Sequence, residues 1–220
     1  MIDIELYIKN VLEKLEEKFQ KRLLFLGLQG SYNRGEATDT SDIDLVVILD
    51  KLNFKDIKTY RTIIESLPYK DKACGFISGK AELQNWTKAD MFQFFYDTKP
   101  LYGKLEDITE PPTKEDVKQA VKTGAENLYH AAVHSFIHSN DFKKDLKNLY
   151  KAAFFILQAK YFVEFGTYIK TKKELAEHLN GADREILNIC INKDKISNTP
   201  APELESLYRK IILWSKETNL

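Results

Sequence analysis

The chain has 220 residues, 43% of them apolar, which is enough for one substantial core or two modest ones. Its 33 basic and 33 acidic residues cancel, so no global field draws it to nucleic acid or to an anionic membrane, which argues against a long RNA or DNA substrate. Cys74 and Cys190 make neither a disulfide framework nor a metal-ligand spacing, and the N-terminus lacks a basic-then-apolar leader. With no apolar run of membrane-spanning length, the expectation is a soluble, unprocessed protein of the reducing cytoplasm.

Residues 3–20 place Leu6, Ile8, Val11, Leu12, Leu15 and Phe19 at helical spacing, predicting an amphipathic helix. The apolar run Leu23 to Leu28 stops at Gly30 and reads as a buried strand; Ile43 to Leu49, rich in Val and Ile, reads as its neighbour. Residues 54–67 recover helical spacing and end at Pro68. Ala73 to Ile77 is a third strand, followed by a helix-prone segment through about Tyr96 and a short edge strand at Leu101-Tyr102-Gly103. Strand, helix and strand in this order imply an α/β layer with a small sheet.

Glu110-Pro111-Pro112-Thr113 marks the expected boundary, because consecutive prolines disfavour helix before them and Thr113 can cap a helix after them. This divides the chain into residues 1–110 and an all-helical bundle over 113–220. Helices are predicted at 114–139, 142–165, 171–180, 183–192 and 202–217. Residues 149–165 are apolar nearly all round, so that helix is expected at the centre of the bundle.

The densest chemistry lies between the first two strands. Asp42 and Asp44 are two apart, and in an extended strand residues i and i+2 face the same way. Two carboxylates side by side repel unless a cation sits between them, and hard oxygen ligands suit Mg²⁺, which keeps substrate phosphates in its shell. Gly30-Ser31 complements them: glycine admits a close backbone approach, and Ser31 offers a hydroxyl and an N–H to phosphate oxygens. Arg34 is a candidate for a charge-assisted contact to the same triphosphate. A lone Asp-x-Asp is ordinarily a pair of solvated turn residues; an apolar strand, Gly-Ser, ten residues and Asp-x-Asp opening a second apolar strand is far more specific.

This stretch resembles the nucleotidyltransferases of the DNA polymerase β superfamily, whose signature is Gly-Ser, about ten residues, then Asp-x-Asp within a strand. Here it stands as Gly30-Ser31 and Asp42-Ile43-Asp44, and the fuller pattern of small bacterial members is matched by Arg34, Gly35, Ser41 and Leu45. The helical half is similar in pattern to the bundle of kanamycin-type nucleotidyltransferases and of HEPN-like proteins. The resemblance implies an α/β nucleotidyltransferase core followed by an acceptor-binding bundle. It also implies transfer of a nucleoside monophosphate from an NTP, ATP in the first place, to a small-molecule hydroxyl. In that reading Asp42 and Asp44 hold two Mg²⁺ ions, and Gly30, Ser31, Arg34 and Ser41 belong to the nucleotide site.

Active members of the family add a third acid on a later strand, yet Lys72-Ala73-Cys74-Gly75-Phe76-Ile77-Ser78-Gly79 carries no carboxylate. Glu82 and Asp97 fall on expected helices and read as surface acids. Kanamycin-type enzymes can draw the base from the helical half, which singles out Glu126. Glu126, His130, His134 and His138 recur every four residues and share one side of a helix; the stripe reads as a solvated polar face, as an acid/base site or as zinc-ligand spacing. Tyr129, Tyr150, Phe154, Phe155, Tyr161 and Tyr168 are candidates for bundle core or for an acceptor pocket. Two further readings stay open: an antitoxin-like or regulatory module that binds or adenylylates a partner protein, and a nucleotide-binding protein that has lost catalysis. Against a built-in HEPN ribonuclease, neither Arg184 nor Arg209 has a histidine four to six residues downstream.

Overall fold

The computed structural model describes residues 2–218, which form a four-stranded mixed sheet and a large helical region. The residues divide into two units, Met1–Thr87 with Phe94–Pro111, and Lys88–Gln93 with Pro112–Leu220.

In the first unit α1 (Ile4–Phe19) starts where the Asp3 side chain accepts from the Leu6 N–H, and it buries Tyr7, Val11, Leu15 and Phe19, four residues apart. That stripe packs on a sheet of order β3-β2-β1-β4, made of β1 (Leu23–Gln29), β2 (Ile43–Leu49), β3 (Ala73–Gly79) and β4 (Lys99–Tyr102). β1 pairs antiparallel with β2 and with β4, while β2 and β3 run parallel. Parallel neighbours need a crossover, supplied by α3 (Phe54–Glu65), and the centrally placed β2 is buried on both faces, which explains its unbroken Val/Ile run. At the start of α3, Asn53 and Asp56 form a capping box. Asp56 also receives both Arg22 Nη1 and Nη2, each at 2.8 Å, so a bidentate pair ties the entry of β1 to α3.

The segment expected as one helix through Tyr96 is split into α4 (Lys80–Gln84) and α5 (Lys88–Tyr96), and the edge strand begins at Lys99, two residues earlier than expected. α5 divides between the units because its side chains do. Phe92 packs on Phe162 and Tyr168, whereas Phe94 packs on Phe76 and Trp86. Pro100 is tolerated because β4 is an edge strand.

The second unit is built from α6 (Lys114–His138), α7 (Phe142–Phe165), α8 (Lys172–His178), α9 (Gly181–Ile191) and α10 (Ala201–Glu217). α6 opens with a capping box between Thr113 and Asp116. α7, whose apolar residues concentrate in its 149–165 stretch, packs against α6, α9 and α10 and buries Tyr150, Phe154, Leu157 and Gln158 completely. Tyr150, Phe154 and Tyr161 are therefore core residues, while Tyr129 stands 40% exposed. Among the described residues no helix is long and apolar enough to cross a membrane.

Candidate active site

The antiparallel register of β1 and β2 sets Gln29 opposite Asp44, so the chain leaving β1 turns at the very end where the two carboxylates enter β2. Gly30-Ser31 opens α2 (Gly30–Arg34), a helix just over one turn long that closes at Gly35. Gly30 has φ +70°, a conformation that side-chain-bearing residues rarely adopt. A Cβ built on Gly30 would lie 2.0 Å from Asp44 Oδ2, so the carboxylate occupies the space that a side chain would need. Asp44 is half-buried at that contact and Asp42, just before the strand, is exposed.

Cys74 stands in register with Asp44 on the neighbouring parallel strand. The Asp44 carboxylate acts on its thiol and raises its pKa. Although the residue as a whole is exposed, desolvation at the sulfur pushes its pKa above the ordinary thiol range, and the charges of Asp44 and Asp42 push it the same way. The place beside Asp44 on β3, where a third acid was sought, thus holds a protonated thiol. Among the described residues no group of three or more His, Cys, Asp or Glu side chains is arranged to hold a metal ion.

Behind the turn lies a polar brace from residues 94–98. Gln29 Nε2 donates to Thr98 Oγ1 at 2.6 Å, and Asn33 Nδ2 donates to the Asp97 carbonyl at 2.6 Å. Arg34 Nη1 donates to Asp97 Oδ2, and its Nε lies 3.4 Å from Glu36 Oε2. The Arg34 and Asp97 side chains are only 7% and 6% exposed. Asp97, which reads as a surface acid in the sequence, is therefore a buried partner. Arg34, expected on the triphosphate, is engaged in this buried pair. Ser41 is half-buried in the loop before β2, where its Oγ accepts from the Thr38 N–H at 2.8 Å. Lys72 reaches the Asp39 carbonyl and tethers the same loop to the start of β3.

Glu126 lies in the second unit, on an exposed face of α6 with His130, His134 and His138. The His134 and His138 rings are 4.8 Å apart and those of His130 and His134 6.1 Å apart.

A family model for the nucleotidyltransferase domain matches residues 8–131, more than half of the chain and all of the turn just described. The chain belongs to the nucleotidyltransferase domain family. A curated protein of Methanocaldococcus jannaschii, named "Putative protein adenylyltransferase", is 39% identical over 64 residues, covering 27% of this nucleotidyltransferase-family chain and 62% of that protein. The chain thus spans less than two thirds of that relative's length. Among solved structures, spectinomycin adenyltransferase AAD(9) from Enterococcus faecialis, crystallised with ATP and spectinomycin, superposes with a TM-score of 0.58 at 15% identity. That match covers 96% of this chain and 98% of the other, so the likeness of fold extends through the helical unit. The nucleotidyltransferase-like fold with a helical C-terminal region follows from this likeness and from the mixed sheet itself.

Proposed function

We propose that this family member transfers a nucleoside monophosphate from ATP to a hydroxyl of a small-molecule acceptor, with pyrophosphate leaving. The observation that carries the reading is the fit of Gly30 to Asp44: a residue with φ +70° and no side chain lies against the carboxylate that opens β2. This leaves the peptide backbone of the turn and the acid pair side by side, the arrangement that a metal-bound triphosphate needs.

Asp42 and Asp44 offer only hard carboxylate oxygens, a donor set that fits Mg²⁺, with the remaining positions left to phosphate oxygens and water. When bound, two such ions neutralise charge on the triphosphate and on the departing pyrophosphate. Gly30 and Ser31 take the β and γ phosphates through backbone N–H and hydroxyl. Arg34, held by Asp97, keeps α2 in place. Ser41 holds the loop that delivers Asp42 and Asp44. Calorimetry with ATP and Mg²⁺, with Asp42→Ala as control, tests the first step. Absence of Mg²⁺-dependent binding, or an Asp42→Ala variant indistinguishable from wild type, overturns the reading.

A second reading is transfer to a protein side chain, motivated by the 39% identity with the relative named for protein adenylylation. Incubation with α-labelled ATP separates the two: label on a polypeptide favours this reading, and label on a small acceptor the first.

A further inference from the structure

The geometry points to a metal site apart from the candidate active site: His134 and His138, at the C-terminal end of α6, chelate one divalent transition-metal ion, with water in its remaining positions. The two share one face of the helix because they are four residues apart. Both are exposed, and among the described residues neither ring has a hydrogen-bond or ion-pair partner. Their nitrogens are therefore not committed elsewhere.

Ring separation decides which histidines pair. An imidazole nitrogen lies about 2.0–2.1 Å from Zn²⁺, which puts the ring centre about 3.2 Å from the ion. Two rings on one ion, at an angle of about 90–110°, then have centres roughly 4.5–5.3 Å apart. The 4.8 Å between His134 and His138 falls in that range, while the 6.1 Å between His130 and His134 lies beyond it. The His134 and His138 planes are inclined by 51°, so the rings are splayed rather than stacked.

The helix end favours the same pair. α6 stops at His138, and its aligned peptide dipoles give that terminus a partial negative charge whose effect fades within one turn. A cation on His134 and His138 sits in this field, whereas one on His130 and His134 would sit a turn back. Neutral imidazoles, unlike the carboxylates of Asp42 and Asp44, have no mutual repulsion to overcome.

Two nitrogen ligands set the class of metal. Imidazole suits Zn²⁺, Ni²⁺ and Cu²⁺, while Mg²⁺ prefers oxygen. Among the described residues no third His, Cys, Asp or Glu completes a group that could hold the ion, which leaves its other positions to water.

The inference does not depend on nucleotidyl transfer, and its test reads binding alone. Calorimetry uses the full chain without an affinity tag, with Mg²⁺ in excess to fill the carboxylate pair. Zn²⁺ and Ni²⁺ should each bind at a histidine-dependent site. His134→Ala and His138→Ala should weaken that binding about tenfold or more, and His130→Ala less than about threefold. Ni²⁺ should broaden backbone amide NMR signals around residues 134–138. Metal-free melting curves of all three variants should match the wild type, which separates lost binding from lost folding. Equal losses in His130→Ala and His138→Ala overturn the proposal, as does Ni²⁺ binding that is unchanged in His134→Ala. So does the absence of histidine-dependent binding at millimolar ion, or Mg²⁺ competing for the site as an equal.

Discussion

The two polar patterns that stand out in this chain, Asp42/Asp44 at the start of β2 and Glu126/His130/His134/His138 along α6, have equally regular spacing and very different surroundings. Around the first, a glycine with positive φ lies against Asp44, a thiol is in register beside it and a buried ion pair sits behind the turn. Around the second the side chains are exposed, with successive histidine rings 6.1 and 4.8 Å apart. Spacing puts groups on one face; what makes a face a site is the set of residues behind it that hold those groups against their own repulsion.

That contrast is broken most severely at the brace. Asp97→Ala leaves the Arg34 charge buried without its main partner and should cost about 3–5 kcal/mol in denaturant unfolding, while the Arg34→Asp/Asp97→Arg double variant recovers part of the loss. A cost below about 1 kcal/mol, the range of exposed pairs, would mean that α2 does not rely on the 94–98 segment. Next comes Asp44→Asn, expected to lower the rate of pyrophosphate release about 10²–10³-fold with the fold intact. Glu126→Gln should lower kcat about 10²-fold if the α6 acid is the base; a rate within twofold of wild type would leave the whole α6 stripe as a solvated face.

Gly30→Ala sharpens the same comparison from the backbone side. Strain at φ +70° and the Asp44 contact should cost about 1–3 kcal/mol and disturb Mg²⁺-dependent ATP binding together. A smaller effect is expected at the pair that stabilises the same unit away from the site. Arg22 hydrogen bonds hold the Asp56 carboxyl below the usual carboxylate range. A depressed folded-state pKa means stabilisation that is complete above the unfolded value of about 3.9 and is lost as pH falls through the folded one. The wild-type unfolding midpoint should therefore fall below about pH 4 more steeply than that of Asp56→Asn. Smallest of all, His130→Ala, His134→Ala and His138→Ala should each shift stability by no more than about 0.5 kcal/mol, as exposed positions do.

The first and second strands, the turn between them and the carboxylate pair were legible because their signals are local: two Val/Ile/Leu runs, a Gly-Ser stop and an i, i+2 spacing all fit within residues 23–49. The centrality of α7 was legible for the same reason, since its 149–165 stretch is apolar nearly all round and needs neighbours on several sides. Asp97 was not legible. Its partner Arg34 is 63 residues away, and nothing next to Asp97 in the chain marks it as buried rather than solvated. The split of α5 was hidden as well, because Phe92 and Phe94 look alike in sequence and part company only when each finds its aromatic neighbours.

Local periodicity and turn chemistry thus indicated by themselves most of the strands and long helices, and which of their residues face the same way. Only the tertiary structure decided what each facing group meets. It paired Arg34 with a buried Asp97 and set Cys74 beside Asp44 where an acid was sought. Contacts of that kind depend on burial and on partners far along the chain, for which no short window of sequence carries a signal.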